Sequence, residues 1–242
     1  MNILVSNDDG INSKSLLSLL KVLSKKHNLL VIAPDGNRSM TAHSVTFNKK
    51  IKVEPCFLLD NVKAYKISGT PCDCVKIAKH AFNDFNIDLV VSGINLGHNL
   101  SSDILYSGTV SIALESVYFG IPAFSFSAFS HDDDYDFDNF AKICSEIIDK
   151  YYVKNYKGIF NVNFPDKNAH IKGQVITKLG TYVYDDECIK IGDNEFLIKG
   201  QETKKASLDK DTDYEYVKNG YITITPLLYD KTDYEKIKEL TT

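Results

Sequence analysis

Short, almost wholly apolar runs alternate with amphipathic stretches through the first two thirds of this chain, and no other feature restricts the fold as much. Residues 2–6 form one such run and end in the turn-forming cluster Asn7-Asp8-Asp9-Gly10. Between residues 13 and 26, Leu16, Leu17, Leu19, Leu20 and Leu23 recur at helical spacing, with Ser13 at the N-cap position. Residues 29–33 make a second buried strand, stopped by Pro34. Strand, helix, strand is the repeating unit of a parallel sheet.

The alternation continues with a strand at 63–67, a helix at 71–85 and a mostly apolar strand at 87–92. A Gly- and Asn-rich loop at 93–102 leads to a helix at 107–119, a strand at 123–127, a helix at 134–152 and a strand at 158–163. The pattern predicts an α/β fold, a Rossmann-like doubly wound and mostly parallel sheet. After Pro165 the texture changes to short β-like runs at 174–178, 181–184, 195–198 and 221–225, broken by Gly, Asp and Asn. These read as a β-hairpin appendage, followed by a helical tail at 232–240. The expected organisation is a single α/β domain over 1–242, with a core at 1–165 and an appendage at 166–242.

Composition excludes several partners. A net charge of −4 offers no electrostatic reason for binding a nucleic-acid duplex or a membrane surface. No eighteen apolar residues run together, and the first residues carry neither a basic leader nor a signal-type apolar stretch. The five cysteines are odd in number and lack paired metal spacing; Cys72 and Cys74 would be half a zinc site, but no second pair follows. Reduced thiols in a cytoplasmic protein are the expectation. Among 28 basic residues Arg38 is the single arginine, placed in a Pro/Gly/Asn loop. Its planar donor fork suits phosphate in a way lysine does not match, although chance placement would give the same count.

In an open parallel sheet, ligands bind beyond the carboxyl ends of the strands. Three polar clusters sit at such ends: Asn7-Asp8-Asp9-Gly10, Asp35-Gly36-Asn37-Arg38-Ser39 and Gly93-Ile94-Asn95-Leu96-Gly97. Adjacent carboxylates converge only where the chain turns, and Gly10 permits that turn. Held together, Asp8 and Asp9 repel unless a proton or cation lies between them; the plain alternative is an acidic turn capping the next helix. Asn95 adds an amide oxygen and Ser39 a hydroxyl, an all-oxygen set suited to Mg²⁺ or Mn²⁺, with Ca²⁺ a further option, and unsuited to zinc or copper. Four protein ligands leave coordination positions open for water or substrate. Ser107-Gly108-Thr109 opens a predicted helix, where free N–H groups and the helix dipole favour phosphate; a simple serine N-cap is the competing reading. Gly69-Thr70-Pro71 opens another. No dinucleotide fingerprint, P-loop or nucleophile elbow is present.

Together these stretches resemble the SurE (survival protein E) family of metal-dependent 5'/3'-nucleotidases. The resemblance rests on SNDDGI at 6–11, APDGNRS at 33–39, HS at 43–44, GTPCDCV at 69–75 and DLVVSGINLGHNL at 88–100. It continues through LYSGTV at 105–110, NVNFP at 161–165, DTD at 211–213 and GYITITPL at 220–227. The resemblance implies Asp8, Asp9, Ser39 and Asn95 as ligands of one divalent cation per subunit, the set the strand-end argument also collects. Asp8, Asp9 and Asn95 become the expected catalytic residues, and Asn7, Arg38, Ser107, Gly108 and Thr109 the expected phosphate and substrate contacts. Implied too are hydrolysis of nucleoside monophosphates, short polyphosphate as a further substrate, and a homodimer or homotetramer that exchanges C-terminal segments. Met40, Ser101 and Ser116 replace frequent glycines of the family, and His98 a small residue or proline; none removes an implied ligand.

The expected mechanism is attack on phosphorus by a metal-polarised water, with Asp8 or Asp9 as base. His43 and His98 are candidate acids for the leaving alkoxide, against the plainer reading of solvated loop histidines. A covalent route through Asp8 lacks the Asp-x-Asp spacing typical of it. A nucleotide-sensing module is the non-enzymatic alternative, opposed by the repulsion between an acidic pair and a phosphate.

Overall fold

The computed structural model describes residues 1–128, 137–166, 168–181, 184–202 and 210–241. A nine-stranded sheet runs through the molecule. In chain order its strands are β1 (Asn2–Ser6), β2 (Asn28–Pro34), β3 (Val53–Cys56), β4 (Lys63–Ile67), β5 (Leu89–Leu96), β6 (Ala123–Ala128), β7 (Gly158–Phe164), β8 (Gln174–Ile176) and β11 (Ile222–Leu228). Their spatial order is β3-β4-β2-β1-β5-β6-β7-β11-β8. The pairings from β4 through β7 are all parallel, whereas β3 joins β4 and β11 joins β7 in antiparallel fashion. Strands β9 (Tyr184–Lys190) and β10 (Phe196–Glu202) form a separate antiparallel hairpin.

The helices cover both faces. On one lie α1 (Lys14–Leu23) and α4 (Phe137–Tyr151), on the other α2 (Pro71–Ala81) and α3 (Gly108–Tyr118). Helix α1 buries Leu16, Leu19, Leu20 and Leu23 completely, at about 1.5–3 kcal/mol each. Across from them α4 contributes Phe140, Ala141, Cys144, Ile147 and Ile148. Helix α2 is started by Thr70, which forms a capping box with Asp73, and by Pro71 in the first turn. Short helix α5 (Asp213–Lys218) precedes β11, and α6 (Tyr234–Thr241) ends the described chain without a buried residue.

Several details differ from the sequence reading. Strand β5 continues through Gly93-Ile94-Asn95-Leu96, a stretch read as loop, and its pairing with β6 shifts between Ser92 and Asn95. A glycine inside a strand often marks such an irregularity. Strand β3 and helix α5 were not anticipated; Pro55 masks β3, and an edge strand tolerates it. Of the segments after Pro165, β8 and β11 extend the central sheet, and only β9 and β10 stand apart as a hairpin. Of the strand expected at 181–184, Thr181 lies outside any strand and Tyr184 begins β9; residues 182–183, like 134–136 of the expected fourth helix, lie outside the described residues.

One row of side chains crosses the sheet on the face that α2 and α3 cover. Ser6 stands opposite Ser92, Ser92 opposite Ser125, Ser125 opposite Asn161, and Asn161 opposite Thr225. All five are at most 1% exposed. Ser125 Oγ donates to Asn161 Oδ1 at 2.9 Å, and Thr225 Oγ1 meets Thr177 Oγ1 at 2.8 Å.

Candidate active site

Strand order reverses between β1 and β5: the chain leaves β1 towards β2 and β4 on one side and reaches β5, β6 and β7 on the other. Such a switch point opens a crevice at the carboxyl ends of the strands. The turn after β1 is closed by Asn7, whose Nδ2 donates to Gly10 O at 3.0 Å while its Oδ1 accepts from Gly10 N at 3.2 Å. Gly10 has a φ of +100°, and a Cβ there would lie 2.9 Å from the Gly36 carbonyl carbon. That close approach brings the loop after β2 against the turn after β1. Asn7 is buried, with both ends of its amide committed to the turn.

Asp8 is 4% exposed. Its Oδ1 accepts a 2.6 Å bond from Thr109 Oγ1, and its backbone oxygen accepts one of 2.7 Å from Arg38 N. A Cβ on Gly108 would stand 2.7 Å from Asp8 Oδ2, so the start of α3 reaches this carboxylate because residue 108 has no side chain. The anion that meets the positive end of α3 is Asp8 itself. Burial nevertheless raises its carboxyl above the usual range, against the lowering influence of the Thr109 hydroxyl and nearby backbone N–H groups. Asp9 is pushed up to about 7, first by burial and then by the charge of Asp8, with the Leu96 N–H opposing. Leu96 N donates to Asp9 Oδ2 at 3.3 Å and so ties the end of β5 to the acidic turn.

The other expected residues are held by local contacts. Asn95 Nδ2 donates to Gly97 O at 2.9 Å, which leaves its amide oxygen as the atom to ligate. Ser39 donates from both N and Oγ to Asn37 Oδ1, each at 2.7 Å. The Arg38 guanidinium pairs with Asp35 at 2.7 Å and donates to Asn37 O at 3.1 Å. Ser107 is the N-cap of α3, its Oγ accepting from Val110 N at 3.0 Å. Direct contacts therefore join Asp8 to Thr109 and to Arg38, and Asp9 to the residue after Asn95, whereas the side chains of Ser39, Arg38 and Asn95 bond within three residues of themselves.

Two supports were not read from the sequence. Asn99 N donates to Asn163 Oδ1 at 2.8 Å, and Asn99 O accepts from Asn161 Nδ2 at 2.8 Å and Asn163 Nδ2 at 3.1 Å. Asn99 Nδ2 donates to Ser127 Oγ at 2.7 Å. This buried lattice fixes the segment that follows Asn95, and its signal was the pair of asparagines inside an otherwise apolar strand at 158–163. Second, the segment after Ser39 is fastened to α2: Thr46 N donates to the Asp73 carboxylate at 3.0 Å, and Thr70 Oγ1 to Ser44 O at 2.8 Å. Neither candidate histidine is simply solvated, since His98 Nε2 lies 2.7 Å from Phe164 O and His43 Nε2 2.7 Å from Glu115 Oε2. Met40 and Ser101 adopt φ of 61° and 51°, the left-handed region in which glycine is most at ease.

The donor chemistry fits a hard divalent cation. Asp8 is buried and Asp9 half-buried, burial raises both carboxyls and the charge of Asp8 raises Asp9 further, and every side-chain donor the sequence grouped with them is oxygen. The fold and site thus define a doubly wound α/β protein with a carboxylate pair, one member buried and the other half-buried, at its topological switch point. Residues 3–186 match the family model described as Survival protein SurE, and the chain belongs to the SurE family. It is 39% identical to the 5'-nucleotidase SurE of Clostridium beijerinckii, over 100% of this chain and 98% of that protein. It is 37% identical to the 5'-nucleotidase SurE of Caldanaerobacter subterraneus subsp. tengcongensis, over 99% and 96%. The crystal structure of the SurE protein from Aquifex aeolicus superposes with a TM-score of 0.84 at 34% identity, covering 100% of this chain and 98% of that one.

Proposed function

We propose that this protein is a divalent-cation-dependent phosphomonoesterase that hydrolyses nucleoside 5'- and 3'-monophosphates to nucleoside and phosphate, with short polyphosphate as a further substrate. The observation that carries the reading is the Asp8–Asp9 pair at the switch point, both carboxyls raised by burial and Asp9 further by the charge of Asp8. Full-length relatives that bear the name 5'-nucleotidase favour turnover over a sensing role.

Asp8, Asp9, Ser39 Oγ and Asn95 Oδ1 hold one Mg²⁺ or Mn²⁺ in this reading. Bound there, the cation supplies charge neutralisation at the phosphoryl oxygens and acidification of water. Asp8, fixed by Thr109 and the start of α3, is the anchored carboxylate; Asp9, with one longer bond from Leu96 N, is the freer one for proton transfer. Asn7 shapes the turn, Arg38 swings from Asp35 to the phosphate, and Ser107, Gly108 and Thr109 form the wall beside it. The phosphate then enters a crevice walled by peptide dipoles and fixed side chains, where developing charge is stabilised without reorganisation.

Among the described residues no helix is long and apolar enough to cross a membrane, and we place the protein in the cytoplasm. A homodimer or homotetramer exchanging C-terminal segments is supported by the apolar side chains that α6 and the β9–β10 hairpin leave exposed, among them Tyr234, Leu240, Phe196 and Ile198. The whole chain is read as one α/β domain. Incubation with AMP and Mn²⁺, with and without EDTA, tests the activity: phosphate release that EDTA abolishes is expected. Absence of release from every nucleoside monophosphate, with either Mg²⁺ or Mn²⁺, defeats the reading.

A further inference from the structure

A second cluster of ligating side chains lies along α3, away from the acidic turn. His43 Nε2, Cys72 Sγ and a Glu115 carboxylate oxygen all fall within 4.8 Å of one another. Glu115 sits seven residues beyond Gly108, about 10 Å along the helix. Three separate elements meet here: the segment after Ser39, the first turn of α2 and the middle of α3. Cys72 is fully buried and Glu115 is 5% exposed, whereas His43 reaches solvent. Beside His43 opens a cavity of about 440 Å³, lined by Leu114, Tyr229, Asp230 and Lys231, which gives small solutes a path to the cluster.

We propose that His43, Cys72 and Glu115 form a binding site for a borderline-soft divalent cation of the Zn²⁺ type, distinct from the hard-cation site at Asp8 and Asp9. The donor set is the first argument. Imidazole, thiolate and carboxylate together select Zn²⁺ or Co²⁺, while Mg²⁺ has little use for two of the three.

Geometry is the second argument. A tetrahedral Zn²⁺ with ligand bonds of about 2.0 to 2.3 Å holds its donors roughly 3.3 to 3.5 Å apart. The 2.7 Å separation of His43 Nε2 from Glu115 Oε2 therefore opens modestly as the ion takes the place of the shared hydrogen. The sulfur closes in by a side-chain adjustment from within 4.8 Å.

Charge is the third. Lys76 Nζ lies 2.6 Å from the other oxygen, Glu115 Oε1, and also faces the Tyr118 and Phe119 rings at 5.7 and 5.4 Å. Burial works against the Glu115 carboxylate, but hydrogen bonds from His43 and Lys76 outweigh it and hold the group ionised below the usual range. Lys76 keeps Oε1 while the cation takes Oε2. Burial and the neighbouring Glu115 charge push the Cys72 thiol up, so on binding the sulfur–hydrogen bond breaks, the proton leaves to solvent and a sulfur–metal bond forms. The two added positive charges offset the thiolate and carboxylate, which Lys76 alone leaves one charge short.

Cobalt provides the test, because a thiolate bonded to Co²⁺ gives a charge-transfer absorption in the near ultraviolet that oxygen and nitrogen ligands do not. The full-length protein, saturated with Mg²⁺, is titrated with Co²⁺. One equivalent is expected to saturate the band, and Zn²⁺ to bleach it. Cys72→Ala should abolish the band, and His43→Gln should weaken cobalt binding at least tenfold, while Cys56→Ala and Cys188→Ala leave it intact. Asp8→Asn should retain it, which separates this site from the proposed hydrolytic one. A wild-type protein without the band, or a band that survives in folded Cys72→Ala, overturns the proposal. Should Cys72→Ala fail to fold, an unchanged cobalt affinity in His43→Gln overturns it equally.

Discussion

Thr109 Oγ1 donates a 2.6 Å hydrogen bond to Asp8 Oδ1, joining the first turn of α3 to the turn after β1 across 101 positions of sequence. Both residues are almost fully buried, so the bond has no water to replace it. Thr109→Val keeps the shape and removes the donor. It should destabilise the protein by about 1–3 kcal/mol and lower phosphate release from AMP about tenfold, whereas Thr109→Ser should preserve both. Chemical denaturation alongside the phosphate assay checks this; a Val variant with full activity would show that the bond does not orient Asp8.

Gly108→Ala should separate activity from stability. The new methyl would stand 2.7 Å from Asp8 Oδ2 and must displace the carboxylate, yet alanine favours a helix over glycine by up to about 1 kcal/mol. We expect activity to fall by at least about tenfold while the melting temperature moves by no more than a few degrees. A variant with normal turnover would mean that Asp8 has room to shift without consequence.

Replacing either acid by its isosteric amide should likewise uncouple the two properties. Asp8→Asn and Asp9→Asn are expected to lose on the order of 100-fold or more in hydrolysis of AMP with Mn²⁺. Each should also melt higher than the parent protein in EDTA, because the substitution removes a buried charge that its surroundings disfavour. Near-normal turnover in both variants would defeat the assignment of the site.

Asp9 also makes stability depend on pH in a direction opposite to that of an ordinary salt-bridged carboxylate. Its folded-state pKa of about 7 exceeds the unfolded value near 3.8, so between those values the folded protein binds the proton more tightly. Without added cation, stability should fall as pH rises from 4 to 7, by up to roughly 4 kcal/mol from this group. Saturating Mn²⁺ should offset the loss at pH 8 and contribute little at pH 5. Melting curves at the two pH values, with Mn²⁺ and with EDTA, decide it; an equal effect of the cation at both would sink the argument.

Much of this architecture could be read before any coordinates. Mostly apolar runs of fixed length delimited β1, β2, β6 and β7 because a strand buried on both faces leaves little choice of residue. The meeting of the acidic turn with the loop after β2 and with the end of β5 also followed, since strand ends converge wherever a sheet switches direction, whereas the contact of Thr109 with Asp8 did not. Continuation of β5 through Asn95 did not follow, because Gly93 and Asn95 look like loop residues until neighbouring strands demand pairing. Nor did the Asn99 lattice: a buried asparagine announces that it needs partners without saying which. Arg38 shows a different limit, for composition singled it out while geometry turns it towards Asp35.

The row of hydroxyls and amides beneath α2 and α3 carries a mechanical consequence. Were β6, β7 or β11 to slide by a residue, it would turn its polar group to the opposite face; by two, it would part Ser125 from Asn161 or Thr225 from Thr177 and leave a buried polar atom without its mate. Ser125, Asn161 and Thr225, with Thr177, thus act as alignment pins driven through the middle of the protein. Asn161 also donates to Asn99 O, so the same pins that align β6 with β7 hold the segment that follows Asn95, and the height of that residue above the sheet is set by the interior and not by the surface.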